Sequence, residues 1–223
     1  MKVLFLNAGN ETGGGMVHIL QMLQSLQQKG EGTFVLAVLE EGLLKERAEA
    51  LGIETVCFSE MRFPFLHELQ FYIEQENFTH IHTHGPRANV LIAFLRRRLR
   101  SEFEWVTTVH SNPLVDFAHK GLRGKLLSKL HITALKKADK MITVCEAFQP
   151  VLKRTGVKKP LMTTIRNGAQ FTTKMDEEAI VNDKRRALGL ADEHIVFVQI
   201  ARLEAVKAHE KGLYAFRNIV DKF

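Results

Sequence analysis

Two cations, Arg202 and Lys207, follow the apolar run Ile195-Val196-Phe197-Val198-Gln199-Ile200 and precede a stretch of helical character. Fixed positive charge where a strand ends and a helix begins suits a diphosphate, because ligands bind at the carboxyl ends of parallel strands and helix N-termini favour anions. A second turn of this kind, Asn7-Ala8-Gly9-Asn10-Glu11-Thr12-Gly13-Gly14-Gly15, stands near the amino terminus. Gly13, Gly14 and Gly15 let backbone N–H groups approach an anion closely, and the following helix dipole adds to that attraction. The pattern is neither Gly-x-Gly-x-x-Gly nor a Gly-Lys-Ser/Thr loop, so the dinucleotide and Walker fingerprints are both absent.

Histidines make the third group. His82 and His84 lie two apart in the strand-like run Thr79 to His84, so they point the same way. A metal reading needs a third ligand, and the nearby sequence offers only His80; orienting side chains or loops is the expected role. His110 closes the β-branched run Trp105 to His110 and is followed by Ser111 and Asn112. A neutral imidazole there can exchange hydrogen bonds with a substrate hydroxyl or a developing charge, with a packing histidine as the equal alternative. No Gly-x-Ser-x-Gly elbow accompanies it, which leaves a serine-hydrolase triad unsupported.

The fourth group is basic. Arg123, Lys125, Lys129, Lys136 and Lys137 alternate with Leu122, Leu126, Leu127, Leu130 and Leu135 in a helical pattern. Such a helix either lies on an anionic membrane surface or presents a solvated face. Nucleic acid is not expected as a partner, since aromatic residues do not interleave with the charge as stacking platforms.

The elements that carry these groups alternate. Strand-like runs at Val3–Leu6, Phe34–Leu39, Ile53–Phe58, Thr79–His84, Trp105–His110, Lys140–Val144 and Leu161–Ile165 are separated by helical patterns at Met16–Lys29, Leu43–Leu51, Leu66–Gln75, Asn89–Arg100, Leu122–Ala138 and Ala147–Arg154. That alternation predicts right-handed βαβ units on a parallel, doubly wound sheet. Asn167-Gly168 breaks it, and Ala169 to Asp183 reads as a crossover without periodicity. A short helix at Lys184–Leu190, the apolar strand and a last helical stretch follow. The expected organisation is one α/β domain over residues 1–168, then a linker and the incomplete beginning of a second Rossmann-like domain over 169–223.

Composition bounds the rest. A hydrophobic content of 45% with 25% charged residues is ordinary for a globular chain. The formal charge of +6 favours anionic partners without choosing among them. Two cysteines, Cys57 and Cys145, predict buried, reduced thiols and a cytoplasmic setting. No apolar run approaches a membrane span.

Taken in order, these residues resemble glycosyltransferase family 4, retaining sugar transferases of the GT-B fold. Gly13-Gly14-Gly15 resembles the family's glycine loop facing the donor, and His82-Thr83-His84-Gly85 its His-x-His-Gly strand end. Thr108-Val109-His110-Ser111 matches the place of its active-site histidine. Ala138-Asp139 through Val144-Cys145-Glu146 is similar to its Ala-Asp…Val-Ser-Glu stretch, with Cys145 in the serine's place. Ile165-Arg166-Asn167-Gly168 resembles the crossing between domains, and Ala201-Arg202-Leu203…Lys207 the Gly-Arg-Leu…Lys-Gly motif that binds the diphosphate. Ala201 and Ala208 stand where glycines are usual, and the family's paired glutamates would lie past Phe223.

The resemblance implies transfer of a sugar, with retention, from a nucleoside-diphosphate donor to a glycan, lipid-linked or small-molecule acceptor hydroxyl. It implies His110 as the catalytic group, Gly13, Gly14, Gly15, Arg202 and Lys207 on the donor, and His82, His84 and Asn112 on the acceptor side. Neither a metal nor another cofactor is implied. The basic helix would give peripheral contact with an anionic membrane, at its cytoplasmic face. A chain without most of the donor domain is expected to be inactive by itself. The alternatives are a sugar-nucleotide epimerase of the same architecture and a non-catalytic membrane-surface or carbohydrate-binding domain.

Overall fold

The computed structural model describes residues 1–59, 64–157, 162–168, 177–201, 203 and 207–220, with backbone alone for His119 and Glu177. Contacts divide the chain into two compact units, Met1–Ala169 and Gln170–Phe223. The first holds a seven-stranded sheet in which every pairing is parallel. Its elements are β1 (Lys2–Asn7), α1 (Gly14–Lys29), β2 (Thr33–Val38), α2 (Leu43–Ala50), β3 (Glu54–Cys57), α3 (Phe65–Glu76), β4 (His80–His84), α4 (Pro86–Leu95), β5 (Glu104–Val109), α5 (Gly121–Leu135), β6 (Lys140–Thr143), α6 (Phe148–Arg154) and β7 (Met162–Thr164).

The strand order is β3-β2-β1-β4-β5-β6-β7. The chain winds outward from β1 through β2 and β3, then returns to β4 on the other side of β1. That reversal opens a crevice at the carboxyl ends of β1 and β4. Both faces of the sheet are covered, so the strands alternate between two cores. Val3, Phe5, Phe34, Leu36 and Val38 pack against Met16, Ile19, Leu23, Leu44 and Ala48 of α1 and α2. Leu4, Leu6, Val35, Ala37 and Ile81 face α3, α4 and α5 through Leu69, Ile73, Ala88, Ile92 and Ala134. A smaller cluster of Val109, Leu135, Met141 and Leu152 covers the β6 side.

The sequence pattern locates these strands and helices to within a few residues, and α4 differs most. It begins at Pro86, whose fixed φ suits a first helical position, and gives way to turns after Leu95 instead of running to Arg100. The α5 helix is placed as expected, with both its basic residues and most of its leucines exposed. Its buried residues include Gly124, Ser128 and His131, while Leu122, Leu126 and Leu130 are 82%, 60% and 47% exposed. Close approach explains this. A Cβ on Gly124 would stand 1.9 Å from the Phe117 carbonyl oxygen, so only small residues fit beneath the loop that precedes α5. Cys57 is half-buried and Cys145 exposed, correcting the expectation that both thiols are buried. No helix among the described residues is long and apolar enough to cross a membrane.

The second unit contains α7 (Glu177–Ala187) and α8 (His209–Arg217). The α7 helix starts seven residues before the expected Lys184, inside the segment read as a linker, because its side chains are nearly all exposed and give no apolar period. Its Arg185 guanidinium donates to the carbonyls of Asp192 (3.2 Å) and His194 (3.0 Å), tying down the turn that follows. Ile195–Ile200 is not a strand. A strand exists through its ladder, and here no described strand lies alongside; Ile200 is 93% exposed. Phe197 instead meets Phe216 of α8 edge-on at 5.5 Å. Ala208 caps α8 with φ +53, the left-handed region. A glycine would hold that conformation without strain.

Two measurements test this packing. Gly124→Ala forces α5 off the Phe117 carbonyl, and its urea midpoint is expected to drop by the equivalent of about 1–3 kcal/mol; an unchanged midpoint would contradict the contact. Ala208→Gly removes a left-handed penalty of about 1–2 kcal/mol, partly offset by about 0.4–1 kcal/mol of extra unfolded-chain freedom. Amide exchange in α8 should therefore slow, and faster exchange would refute the assigned backbone.

Candidate functional site at the strand ends

The crevice between β1 and β4 is lined from both sides. Asn7 closes β1 and is in register with His84 at the end of β4. Its Nδ2 donates to the His84 carbonyl at 3.1 Å, and its Oδ1 accepts from the Gly9 N–H at 2.8 Å. One amide thus ties two strand ends to the start of the glycine turn. Gly13 precedes α1, and Gly14 and Gly15 are its first residues, with their N–H groups unused by the helix. The space above Gly14 is open, whereas the Glu11 carboxylate lies over Gly15.

Four imidazoles converge beside this turn. His82 and His84 share the face of Phe5, with ring centroids 5.0 and 5.9 Å from it. His82 Nε2 meets Thr108 Oγ1 at 2.8 Å, and His84 Nδ1 meets His110 Nε2 at 3.0 Å. The fourth is His18, one helical turn after Gly14, which stands edge-on to His110 at 4.9 Å. Asn167, in the segment read as the domain crossing, shares a hydrogen bond with His18.

Burial decides their charge. It holds His84 well below the ordinary imidazole range, with the neighbouring histidines adding to the effect. Burial, then His18 and His110, push His82 down to about 3; burial, then His18, push His110 down to about 4. His18 is lowered too, burial outweighing the Asn167 bond. All four rings are therefore neutral near pH 7, serving as hydrogen-bond donors and acceptors and not as cations. Nearby, burial raises the Asp116 carboxyl, opposed by a bond from Ser111.

The other face of the same strands is a buried polar lattice. Trp105 Nε1 donates to Thr83 Oγ1 at 2.8 Å, and the hydroxyls of Thr83 and Thr107 donate to Asn89 Oδ1 at 2.5 and 2.8 Å. Asn89 Nδ2 then reaches His131 Nε2 at 3.0 Å. This lattice fixes β4 and β5 against α4 and α5, and so fixes the histidines opposite.

One ring nitrogen from each of His18, His84 and His110 lies within 4.8 Å of the others, which is the donor set of a three-histidine cation site. The third ligand comes from α1, outside the neighbourhood of the His82–His84 pair. His84 and His110, however, already hydrogen-bond to each other at 3.0 Å.

Of the residues expected from sequence, His82, His84, His110, Gly13, Gly14 and Gly15 come together at the crevice. Asn112 is close in sequence but shapes its own loop, Oδ1 accepting from the Leu114 N–H at 3.0 Å. Arg123, Lys125, Lys129, Lys136 and Lys137 are all exposed on or just after α5. Lys207 lies in the second unit with its side chain exposed, and Arg202 falls outside the described residues. His18, Asn7 and Asn167 are the additions. His18 was legible only through its spacing of four from Gly14; Asn7 and Asn167 stand in the glycine turn and the crossing motif, but nothing in the sequence marked either as a site residue.

The sequence profile of Glycosyltransferase Family 4 matches residues 12–171. The chain belongs to glycosyltransferase family 4. Solved structures agree on the fold. HepE from Anabaena, in complex with UDP-glucose, superposes with a TM-score of 0.69 at 17% identity, over 90% of this chain and 54% of that one. Sucrose-phosphate synthase from Thermosynechococcus elongatus gives 0.61 at 15%, over 86% and 54%. UDP-GlcNAc 2-epimerase from Methanocaldococcus jannaschii gives 0.52 at 11%, over 75% and 46%. This family 4 chain thus spans about half the length of the structures it matches. Comparison with curated proteins gave no match.

Acid should unfold the molecule partly through His131, which burial holds down to about 4. The unfolded chain takes up this proton near the ordinary value of about 6.5. Stability contributed by neutral His131 is therefore present above that value and lost as pH falls toward 4. In His131→Gln, the stability lost between pH 7 and pH 5 should shrink by about 2 kcal/mol; parallel wild-type and variant curves would contradict it.

Proposed function

We propose that the protein transfers a sugar from a nucleoside-diphosphate donor to an acceptor hydroxyl with retention at the anomeric carbon. The observation that carries this reading is the convergence of neutral His110 and His84 with the open glycine end of α1 at the sheet's reversal point. Membership of family 4 supports the transferase class, and UDP and UDP-glucose in the HepE structures support a nucleotide-sugar donor. His110 contacts the transferred sugar or acceptor, and the buried His82 and His84 support it from behind on the acceptor side. The N–H groups of Gly14 and Gly15 meet the charge that builds on the diphosphate, the electrostatic contribution that usually dominates such chemistry. The motif residues Arg202 and Lys207 are proposed as donor-side cations, and the transfer so drawn uses no metal ion.

A lipid-linked acceptor is favoured by α5. Leu122, Leu126 and Leu130 form an exposed apolar row among Arg123, Lys125 and Lys129. Beside it runs a groove of about 530 Å³ lined by Val90, Phe94, Phe117, Leu127 and Leu130. Apolar residues flanked by cations suit the surface of an anionic membrane. An epimerase shares the architecture, but its reaction needs no acceptor.

The full-length polypeptide, given UDP-glucose and other sugar nucleotides with glycan and lipid acceptors, should form a glycoside that keeps the donor's anomeric configuration. His110→Ala should lower that rate by about 100-fold or more while leaving the circular dichroism unchanged. An inverted product, or conversion of the sugar nucleotide without acceptor, would overturn the reading. For the membrane contact, Lys125→Glu combined with Lys129→Glu, and separately Leu126→Gln with Leu130→Gln, should each reduce sedimentation with phosphatidylglycerol vesicles. Undiminished sedimentation of both variants would remove α5 from that role.

A further inference from the structure

We infer that His84 is a positioning residue that fixes the tautomer of His110, so that the ring nitrogen His110 leaves for a ligand is an N–H donor at Nδ1. The transferase reading supplies the ligand, but the tautomer itself rests only on geometry.

A neutral imidazole carries one N–H and one lone pair. The 3.0 Å contact between His84 Nδ1 and His110 Nε2 therefore holds a single proton, which belongs to one ring or the other. The far nitrogen of His84, Nε2, is buried and has no hydrogen-bond partner among the described residues. Suppose the shared proton sits on His110 Nε2. His84 must then carry its own proton on Nε2, burying an N–H with no acceptor, at a cost of roughly 1–3 kcal/mol. Suppose instead that it sits on His84 Nδ1. The unpartnered atom is then only a lone pair, and buried acceptors without partners are tolerated more readily than buried donors.

The second arrangement leaves His110 with Nε2 occupied as an acceptor and its proton on Nδ1. His110 is half-buried, whereas His84 is 1% exposed, so His110 is the ring that a ligand can reach. Burial keeps both rings neutral, which makes the choice between tautomers a real one. The outcome is directional. His110 gives a hydrogen bond to a substrate oxygen; it does not take a proton from one. The same logic weighs against a cation among His18, His84 and His110. A metal on His84 Nδ1 would drive that ring's proton onto the unpartnered Nε2.

Imidazole tautomers are read directly from long-range nitrogen–proton correlations of a histidine-labelled chain at pH 7, with His110→Gln used to assign the His110 signals. The expected spectrum shows His110 and His84 each protonated on Nδ1. His84→Leu removes the donor, and His110 should revert to the Nε2-protonated form usual for a free side chain. His84→Asn, whose amide offers an N–H in place of Nδ1, should restore the Nδ1 form. A wild-type His110 protonated on Nε2, or a His110 unmoved by His84→Leu, overturns the inference. Should His84→Leu not fold, the wild-type spectrum decides alone. Because the tautomer is read without substrate, a protein that shows it but transfers no sugar would sink the transferase reading and leave this one standing.

Discussion

Everything at the site hangs on the parallel contact between β1 and β4, the place where the chain reverses its direction of winding. It sets Asn7 opposite His84 and so brings the glycine end of α1 beside the histidines that close β4 and β5. Polar rings buried at a strand end are costly unless paired. Here the pairing runs through ring nitrogens, threonine hydroxyls and one asparagine that spans both strand ends. The result is a cluster of polar rings that carry no charge near neutral pH, beside the Glu11 carboxylate over Gly15. Attraction for an anion must then come from the backbone N–H groups of α1 and from cations elsewhere.

Strand alternation gives β4 two tasks at once. His82 and His84 face the crevice side with Phe5, while Thr83, between them, faces α4 and α5 and joins Trp105, Thr107, Asn89 and His131. The sequence His-Thr-His is thus not two ligands and a spacer. Its middle residue anchors the strand from behind, and that rigidity holds the flanking rings at hydrogen-bonding distance. Catalytic geometry benefits from such support, because small displacements of a reacting group are expensive.

The α5 helix shows how packing chooses the covered face. Its buried positions are Gly124, Ser128, His131, Ala134 and Leu135, while Leu122, Leu126, Leu127 and Leu130 stay exposed. The helix sits too close to the Phe117 carbonyl for larger side chains, and the polar lattice needs His131 inward. The exposed leucines form a row beside the basic residues. An amphipathic sequence states that a helix has two faces; the neighbours choose which one is covered.

The alternation of apolar runs and helical periods determined the parallel α/β architecture, the order of its elements, the strand-end positions of His84 and His110, and Gly14 at the start of a helix, because burial on both faces of a sheet imposes that pattern on the chain itself. Motif order was enough to suggest glycosyltransferase family 4. Tertiary structure alone decided the rest. It added His18 from one turn into α1, supplied Asn167 from a distant loop, chose the covered face of α5 and left Ile195–Ile200 without a ladder. Periodicity is a local property, whereas ring-to-ring contacts, close backbone approach and strand pairing depend on residues far apart in the chain, so no local pattern encodes them.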